Sequence, residues 1–307
     1  MNYTLHQLKV FLKVSQTKSI TKAAEELNLS QPAVSIQLKN LQDQFEIPLT
    51  EVVGRQLYIT DFGKEIATAV EQIVNEVSKI NYKSLAYKGI LTGVLKIAVV
   101  STGKYVMPFF LSDFMNSNKG IELEMDVTNK ARVFSALKNN EIDFALVSNL
   151  PDDINLEYES LMANKLFLIG GKNLTISEEF TVKKLLQEVP LIYREEGSAT
   201  RVYMENYIKH KGLTIKSKIQ LTSNEAVKQA VISGLGISIM PLIGLKNELE
   251  NGDLKIIDFE DLPIITEWNL IWLKNKKMSP VGSAYLQYVQ TEKNNIFAKL
   301  FSWIKNY

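Results

Sequence analysis

Two helical patterns separated by only three residues constrain the fold of this chain more than any other feature. Ile20, Ala23, Ala24 and Leu27 recur at i, i+3, i+4 and i+7, and Val34, Leu38 and Leu41 form a second apolar stripe, with only Asn28, Leu29 and Ser30 between Leu27 and Gln31. So short a connection requires the second helix to turn sharply back on the first, which is the geometry of a helix-turn-helix. Ser19 and Ser30 are suited to cap the two helices, and Asn28 to end the first of them. The adjacent Ala23 and Ala24 let a third helix approach closely, and Leu5, Leu8, Phe11 and Leu12 supply its stripe.

The helix beginning at Gln31 turns Gln31, Pro32, Ser35 and Lys39 outward. Gln pairs with adenine, Ser with several bases, and Pro lies against a thymine methyl, so this end of the helix suits a major groove. Pro32 sits in the first turn, where a missing N–H costs little. The run IPLTEVVGRQLYIT then gives two short β-prone segments around Gly54 and Arg55, a hairpin wing with Arg55 at its tip. Caps and stripes of this kind also occur in three-helix units that bind no DNA. Charge decides little, because residues 1–60 carry six basic and five acidic groups. One copy would neutralise few phosphates, so tight binding requires at least two copies on one DNA.

A source for the second copy follows. Thr60 caps a run of nearly thirty residues in which Ile66, Val70, Ile73, Val77 and Ile80 are spaced 4, 3, 4, 3, the seam of a two-stranded coiled coil. Packing of this stripe on the chain's own remaining domain is the alternative. The tail NIFAKLFSWIKNY is a second amphipathic candidate for self-association.

From Gly93 the pattern becomes α/β. LKIAVV, LEMDV and FALVS read as strands alternating with helices around Phe110 and Val133, and a second set runs LFLIGG, PLIYREEG, a helix from Ala199 to His210, KIQLTSN, a helix from Glu225 to Ser233, and GISIMP. WNLIWLK and SPVGSAYLQYVQ close the chain. The alternation predicts a mostly parallel sheet in two similar lobes. Ligands in such sheets sit at strand carboxyl ends, against helix N-termini. The polar turns Ser101-Thr102, Ser198 to Thr200 and Thr222 to Asn224 fit that place, with Thr128 ending a strand nearby. Each taken singly reads first as a helix cap.

The run SITKAAEELNLSQPAVSIQLKNLQDQFEIPLTEVVGRQLYITDFG resembles the DNA-binding signature of LysR-type transcriptional regulators. The resemblance implies base contacts from Gln31, Pro32 and Ser35, backbone contacts from Ser30 and Arg55, and a candidate DNA-binding set of Ser30, Gln31, Pro32, Ser35, Gln37, Lys39 and Arg55. Ile36 stands where many members carry a polar or basic residue, and Thr50 and Val52 replace the Phe and Arg usual in the wing. The remaining length resembles the family's two-lobed, periplasmic-binding-protein-like effector domain. The implied organisation is a winged helix-turn-helix over 1–60, a linker and dimerisation helix over 61–89, and an effector domain over 92–307. In that domain lobe I takes 92–163 and 267–307, and lobe II takes 164–266. AVVSTGKYVMP, REEGSATR, SNEAVKQAVISGLGIS and LPIITEWNLIWLKNKKMSP are most similar to the subgroup that regulates RuBisCO operons, whose members sense phosphorylated or otherwise anionic metabolites. That implies an anionic effector held by Ser101, Thr102, Thr128, Ser198, Thr200 and Asn224, with Arg194 and Arg201 adding charge, in a homodimer or homotetramer on double-stranded DNA.

Two-lobed α/β domains also occur in enzymes and in solute-binding proteins. Against an enzyme, there is no G-x-S-x-G elbow, no GxxxxGK[ST] and no GxGxxG. The sequence has no cysteine and only two histidines, His6 and His210, so no metal and no cofactor is expected. Against a solute-binding protein, MNYTLHQLKVFLKV shows no basic region followed by a cleavage site, and no run of 18 or more apolar residues spans a membrane. A cytoplasmic protein is expected.

Overall fold

The computed structural model describes residues 2–54, 56–86, 91–151, 153–174 and 182–307, which divide into two compact units, Met1–Ile90 and Leu91–Tyr307. Arg55 lies outside the described residues, as do Gly89 and the side chain of Ile80.

In the first unit, α1 (Leu5–Thr17), α2 (Ile20–Leu27) and α3 (Gln31–Gln42) are followed by the hairpin β1 (Thr50–Val53) and β2 (Gln56–Ile59), then by α4 (Asp61–Ala86). Local chemistry sets these boundaries. Thr4 and Gln7 form a reciprocal capping box at the start of α1. Ser19 accepts from the Lys22 N–H, Ser30 accepts from the Ala33 N–H, and Asn28 ends α2 in the left-handed region at φ 53°. Val34, Leu38 and Leu41 are buried, as the spacing predicts, and Ala23 and Ala24 lie beneath α1. The buried face of α1 is wider than predicted. Val10 and Val14 are fully buried beside Leu8 and Phe11, while Leu5 and Leu12 are half-buried, because α1 packs against α2, α3 and α4 at once.

Thr60 joins the wing to α4. Its hydroxyl donates to the Pro48 carbonyl at 2.6 Å and accepts from the Gly63 N–H at 2.9 Å, while its own N–H donates to the Leu49 carbonyl. A Cβ at Gly63 would sit 2.0 Å from that Leu49 oxygen, so only glycine permits this approach. Further along α4 the seam departs from expectation. Val70 is only 2% exposed and belongs to the core of Phe11, Val34 and Leu41, and Ile66, Ala67 and Val74 pack onto the same core. Of the described seam residues, Ile73 (44% exposed) and Val77 (partly exposed) lie outside that core.

The second unit begins with β3 (Gly93–Val100), a 3-10 turn (Ser101–Tyr105), α5 (Met107–Ser117), β4 (Ile121–Thr128), α6 (Lys130–Lys138), β5 (Phe144–Val147) and the long β6 (Leu156–Gly171). Next come α7 (Val182–Glu188), β7 (Leu191–Arg194), α8 (Ala199–His210), β8 (Lys218–Leu221), α9 (Asn224–Ile232), β9 (Ser238–Pro241), α10 (Lys246–Glu250), β10 (Leu254–Ile256), β11 (Ile264–Leu273) and α11 (Pro280–Ile296). The principal sheet runs β10-β6-β11-β5-β3-β4, with β9 also on β6, and β7 pairs with β8. It is mixed rather than mostly parallel. β3 is parallel to β4 and β5, and β7 to β8, but every pairing made by β6 and β11 is antiparallel.

β6 and β11 carry the chain through both lobes. They pair from Leu273 with Leu156 to Ile264 with Leu166, with a bulge where Trp268 opposes Met162 and Asn269 opposes Ser160. Asn164 and Thr266 face each other across this ribbon and are joined by an Asn164 Nδ2 donor bond of 3.0 Å. Asn164 Oδ1 and Trp268 Nε1 are buried there without a partner. One core fills the first lobe and continues under α9, and a smaller one built on Leu166, Leu191, Met204 and Ile239 fills the other side of the second. The tail folds back on its own chain. Ile296, Phe301 and Ile304 are buried, Phe301 packs edge-on to Phe109, and Lys165 donates to the Ile304 and Tyr307 carbonyls. The apolar stripe that suggested self-association is thus largely consumed within the chain.

Candidate DNA-reading face and effector cleft

At about 100° per residue, the buried stripe Val34, Leu38 and Leu41 fixes the opposite face of α3 as Pro32, Ser35, Ile36, Lys39 and Asn40. Pro32, Ile36, Lys39 and Asn40 are exposed and Ser35 is half-exposed. Gln31 is exposed at the helix start and donates its amide to the Ser35 hydroxyl at 3.0 Å, holding the two side chains as one unit. Ser30 is exposed but spends its hydroxyl on capping. Gln37 is half-exposed like Ser35, but at about 100° per residue it points about 160° away from Lys39, against about 40° for Ser35, and does not share the face.

In the second unit, Ser101, Thr102, Ser198 and Thr200 line one cavity of about 30 Å³. Thr102 also lines a second, smaller cavity with Asn224 and Lys228, so five of the six predicted effector residues meet around Thr102. Thr128 is the exception. It lines neither cavity, while the next two residues, Asn129 and Lys130, line the first.

Of the three helix starts expected here, one is free. A five-residue 3-10 turn intervenes between Ser101 and α5, and α9 is capped by Ser223, which accepts from the Ala226 N–H at 3.0 Å. Ser198 stands at the same position of α8 and makes no capping bond. The first turn of α8 is therefore without a side-chain cap where Ser198, Ala199 and the buried Thr200 line the cavity.

The charges are distributed differently from the sequence reading. Arg194 lines the cavity and is 5% exposed, but both its Nε and Nη2 are held by the Glu195 carboxylate at 2.8 and 2.7 Å. Arg201 does not reach the cavity. It binds Glu205, Gln220 and the Arg194 carbonyl. In the adjoining cavity Lys228 bridges Glu225 and Glu248 at 3.1 and 2.6 Å. Burial opposes its charge, yet the hydrogen bonds to those carboxylates outweigh burial and hold its pKa above the usual lysine value. Asn224 Nδ2 is buried beside it without a partner.

Sequence reasoning missed Lys130 and Ser148 in the first cavity, and Tyr203, whose hydroxyl donates to the Ser148 carbonyl at 3.0 Å and ties α8 to the end of β5. Ser148 follows a buried strand, and the rule that selected Ser101 would have found it.

Comparison with known proteins decides what this pair of sites belongs to. Residues 5–64 match the bacterial regulatory helix-turn-helix of the lysR family, and residues 88–294 match the LysR substrate binding domain. The chain belongs to the LysR family of transcriptional regulators. It is similar to the RuBisCO operon transcriptional regulator of Allochromatium vinosum, 37% identical over 98% of this chain and 100% of that one. It is also similar to the HTH-type transcriptional activator CmpR of Synechocystis, 35% identical over 94% of this chain and 95% of that protein. Among solved structures, the CcmR regulatory domain of Synechocystis PCC6803, determined in complex with 2-PG, is 31% identical and superposes with a TM-score of 0.62 over 66% of this chain and 99% of its own. This LysR-family chain is accordingly a DNA-binding regulator whose second unit is the two-lobed effector-binding domain. Among the described residues no helix is long and apolar enough to cross a membrane.

Proposed function

We propose that this LysR-family regulator reads promoter DNA with Gln31, Pro32, Ser35 and Lys39, and binds a small anion at the start of α8. The free N–H groups of α8, facing Thr102 and Ser101 across a cavity also lined by Ser198 and Thr200, carry the effector reading. A helix N-terminus with unspent N–H groups attracts negative charge, and hydroxyls complete the coordination. The relative solved with 2-PG supports a ligand of this class, and similarity to RuBisCO operon regulators supports the same subgroup. The functional division is 1–60 for DNA, 61–89 for pairing through Ile73 and Val77 into a homodimer or homotetramer, and 92–307 for the effector. The regulator works in the cytoplasm and releases its effector unchanged.

A cavity of about 30 Å³ holds no more than a water or two. Entry of an anion therefore requires the lobes to part around the Asn164–Thr266 ribbon, or Arg194 to leave Glu195 and turn to the ligand. A ligand that touches both lobes favours the separation at which it fits, and this bias is the signal passed to the DNA-binding unit.

Thermal unfolding with and without 2-PG tests the site. At 100 times its dissociation constant a ligand adds about 2.7 kcal/mol to the stability of the unit that binds it. Thr102→Val with Thr200→Val is expected to remove most of that gain, since two hydroxyls are lost without a change in shape. A gain that survives intact in the double variant places the effector elsewhere.

A further inference from the structure

We propose that Ile36 reads the methyl group of a thymine in the major groove. Ile36 is 56% exposed on the surface of α3 that points away from Val34, Leu38 and Leu41. It lies one turn beyond the exposed Pro32, so the two form an apolar strip along an otherwise polar helix. Beside that strip runs the hydrogen-bonded pair Gln31 and Ser35, and Lys39 follows one turn on. A strip of acceptors and donors next to a strip of carbon matches what an A·T pair offers in the major groove. Adenine presents N6 and N7 to a hydrogen-bonding side chain, and thymine presents its C5-methyl to an apolar one. The N-terminal half of a recognition helix is the part that reaches base edges, and Ile36 is in its second turn. No other base edge in that groove carries an apolar group, so the exposed isoleucine has one partner to prefer. A polar residue there would instead favour a hydrogen-bonding edge.

The proposal rests on α3 being the groove helix, and its test separates the two claims. Sites are first selected from a random-sequence pool by the full-length protein. Each thymine in the selected half-site is then replaced singly by deoxyuridine, which removes only the methyl. At one thymine per half-site this is expected to weaken wild-type binding about fourfold, the equivalent of one buried carbon, and about 15-fold when both half-sites are changed. Ile36→Ala preserves helix propensity, is expected to bind more weakly, and is expected to be indifferent to the deoxyuridine change. Wild-type binding that ignores every deoxyuridine substitution, or an Ile36→Ala variant with the same methyl dependence as wild type, overturns the proposal. Gln31→Ala with Ser35→Ala provides the second reading. If this double variant loses selectivity while the methyl is ignored, α3 stays in the groove and only the Ile36 assignment falls. If it binds and selects as wild type does, α3 is not the reading helix and both claims fall.

Discussion

Val70→Glu is expected to unfold the DNA-binding unit and leave the effector-binding unit folded. Val70 is 2% exposed among Phe11, Val34 and Leu41, so a glutamate there must be buried charged or be protonated. Protonation at pH 7 costs about 3.7 kcal/mol, because an unfolded glutamate has a pKa near 4.3 and each pH unit above it is worth about 1.36 kcal/mol. Loss of the buried valine adds about 1.5–3 kcal/mol. The sum, roughly 5–7 kcal/mol, equals or exceeds the stability of many small domains. Circular dichroism should show the helix signal of the first unit lost, with no DNA shift at any salt concentration. Ile73→Glu is the contrasting variant. Ile73 is 44% exposed, so the unit should stay folded while light scattering reports dissociation of the pair. An unchanged mass for Ile73→Glu with Val77→Glu would show that α4 does not hold the copies together.

Gly63→Ala carries the second large effect, and its sign is informative. In an open helix this change stabilises, since glycine is worse than alanine by about 1 kcal/mol. Here the new Cβ falls 2.0 Å from the Leu49 carbonyl oxygen and 2.9 Å from Ile59 Cγ2. The obstacle is backbone, fixed from the other side by the Thr60 N–H at 3.1 Å, so it cannot rotate aside as a side chain does. The start of α4 must move away from the wing, breaking the Thr60 bonds to Pro48 and Gly63. Overpacking of about 1–3 kcal/mol is the minimum to expect, with the two hydrogen bonds added to it at about 1 kcal/mol each. Denaturant unfolding of the variant measures this directly, and a midpoint at or above wild type would show that the wing and α4 are not locked at Leu49.

Gly63 also marks how far the sequence could be read. Gly63 closes the run that resembles the family's DNA-binding signature, and the caps at Ser19, Ser30 and Thr60 were visible because capping is a contact between residues three positions apart. The span of α8 was legible for the same reason, being set by local periodicity. The first half of β6 was not. Residues 156–160 become strand only by pairing with β11, more than a hundred positions away, and their exposed Glu157 and Tyr158 dilute the apolar signal. Val70 shows a second limit, since a heptad stripe states that a face is apolar without stating which surface covers it. In the effector cleft, residue types at strand ends located five of six positions around Thr102. Ser198 and Ser223, however, look identical as caps in sequence, and only distances reveal that one is spent and the other free. The hold of Glu195 on Arg194 was hidden in the same way.

Two polar atoms in the ribbon that joins the lobes are expected to influence how easily the regulator is switched. Asn164 Oδ1 and Trp268 Nε1 are both shut away from water with nothing to bond, at the place where the chain passes from one lobe to the other. An unsatisfied buried group of this kind costs about 1–3 kcal/mol. A different separation that gives even one of them a partner recovers that energy, and 1.4 kcal/mol already changes the ratio of two states about tenfold. A metabolite that favours such a separation would have that much less to supply itself. The indole proton of Trp268, one of three tryptophans in the chain, reports on this by NMR. Its resonance should move downfield, into the hydrogen-bonded range, as effector is added, whereas an unmoved signal would mean that the stored energy lies in another part of the molecule.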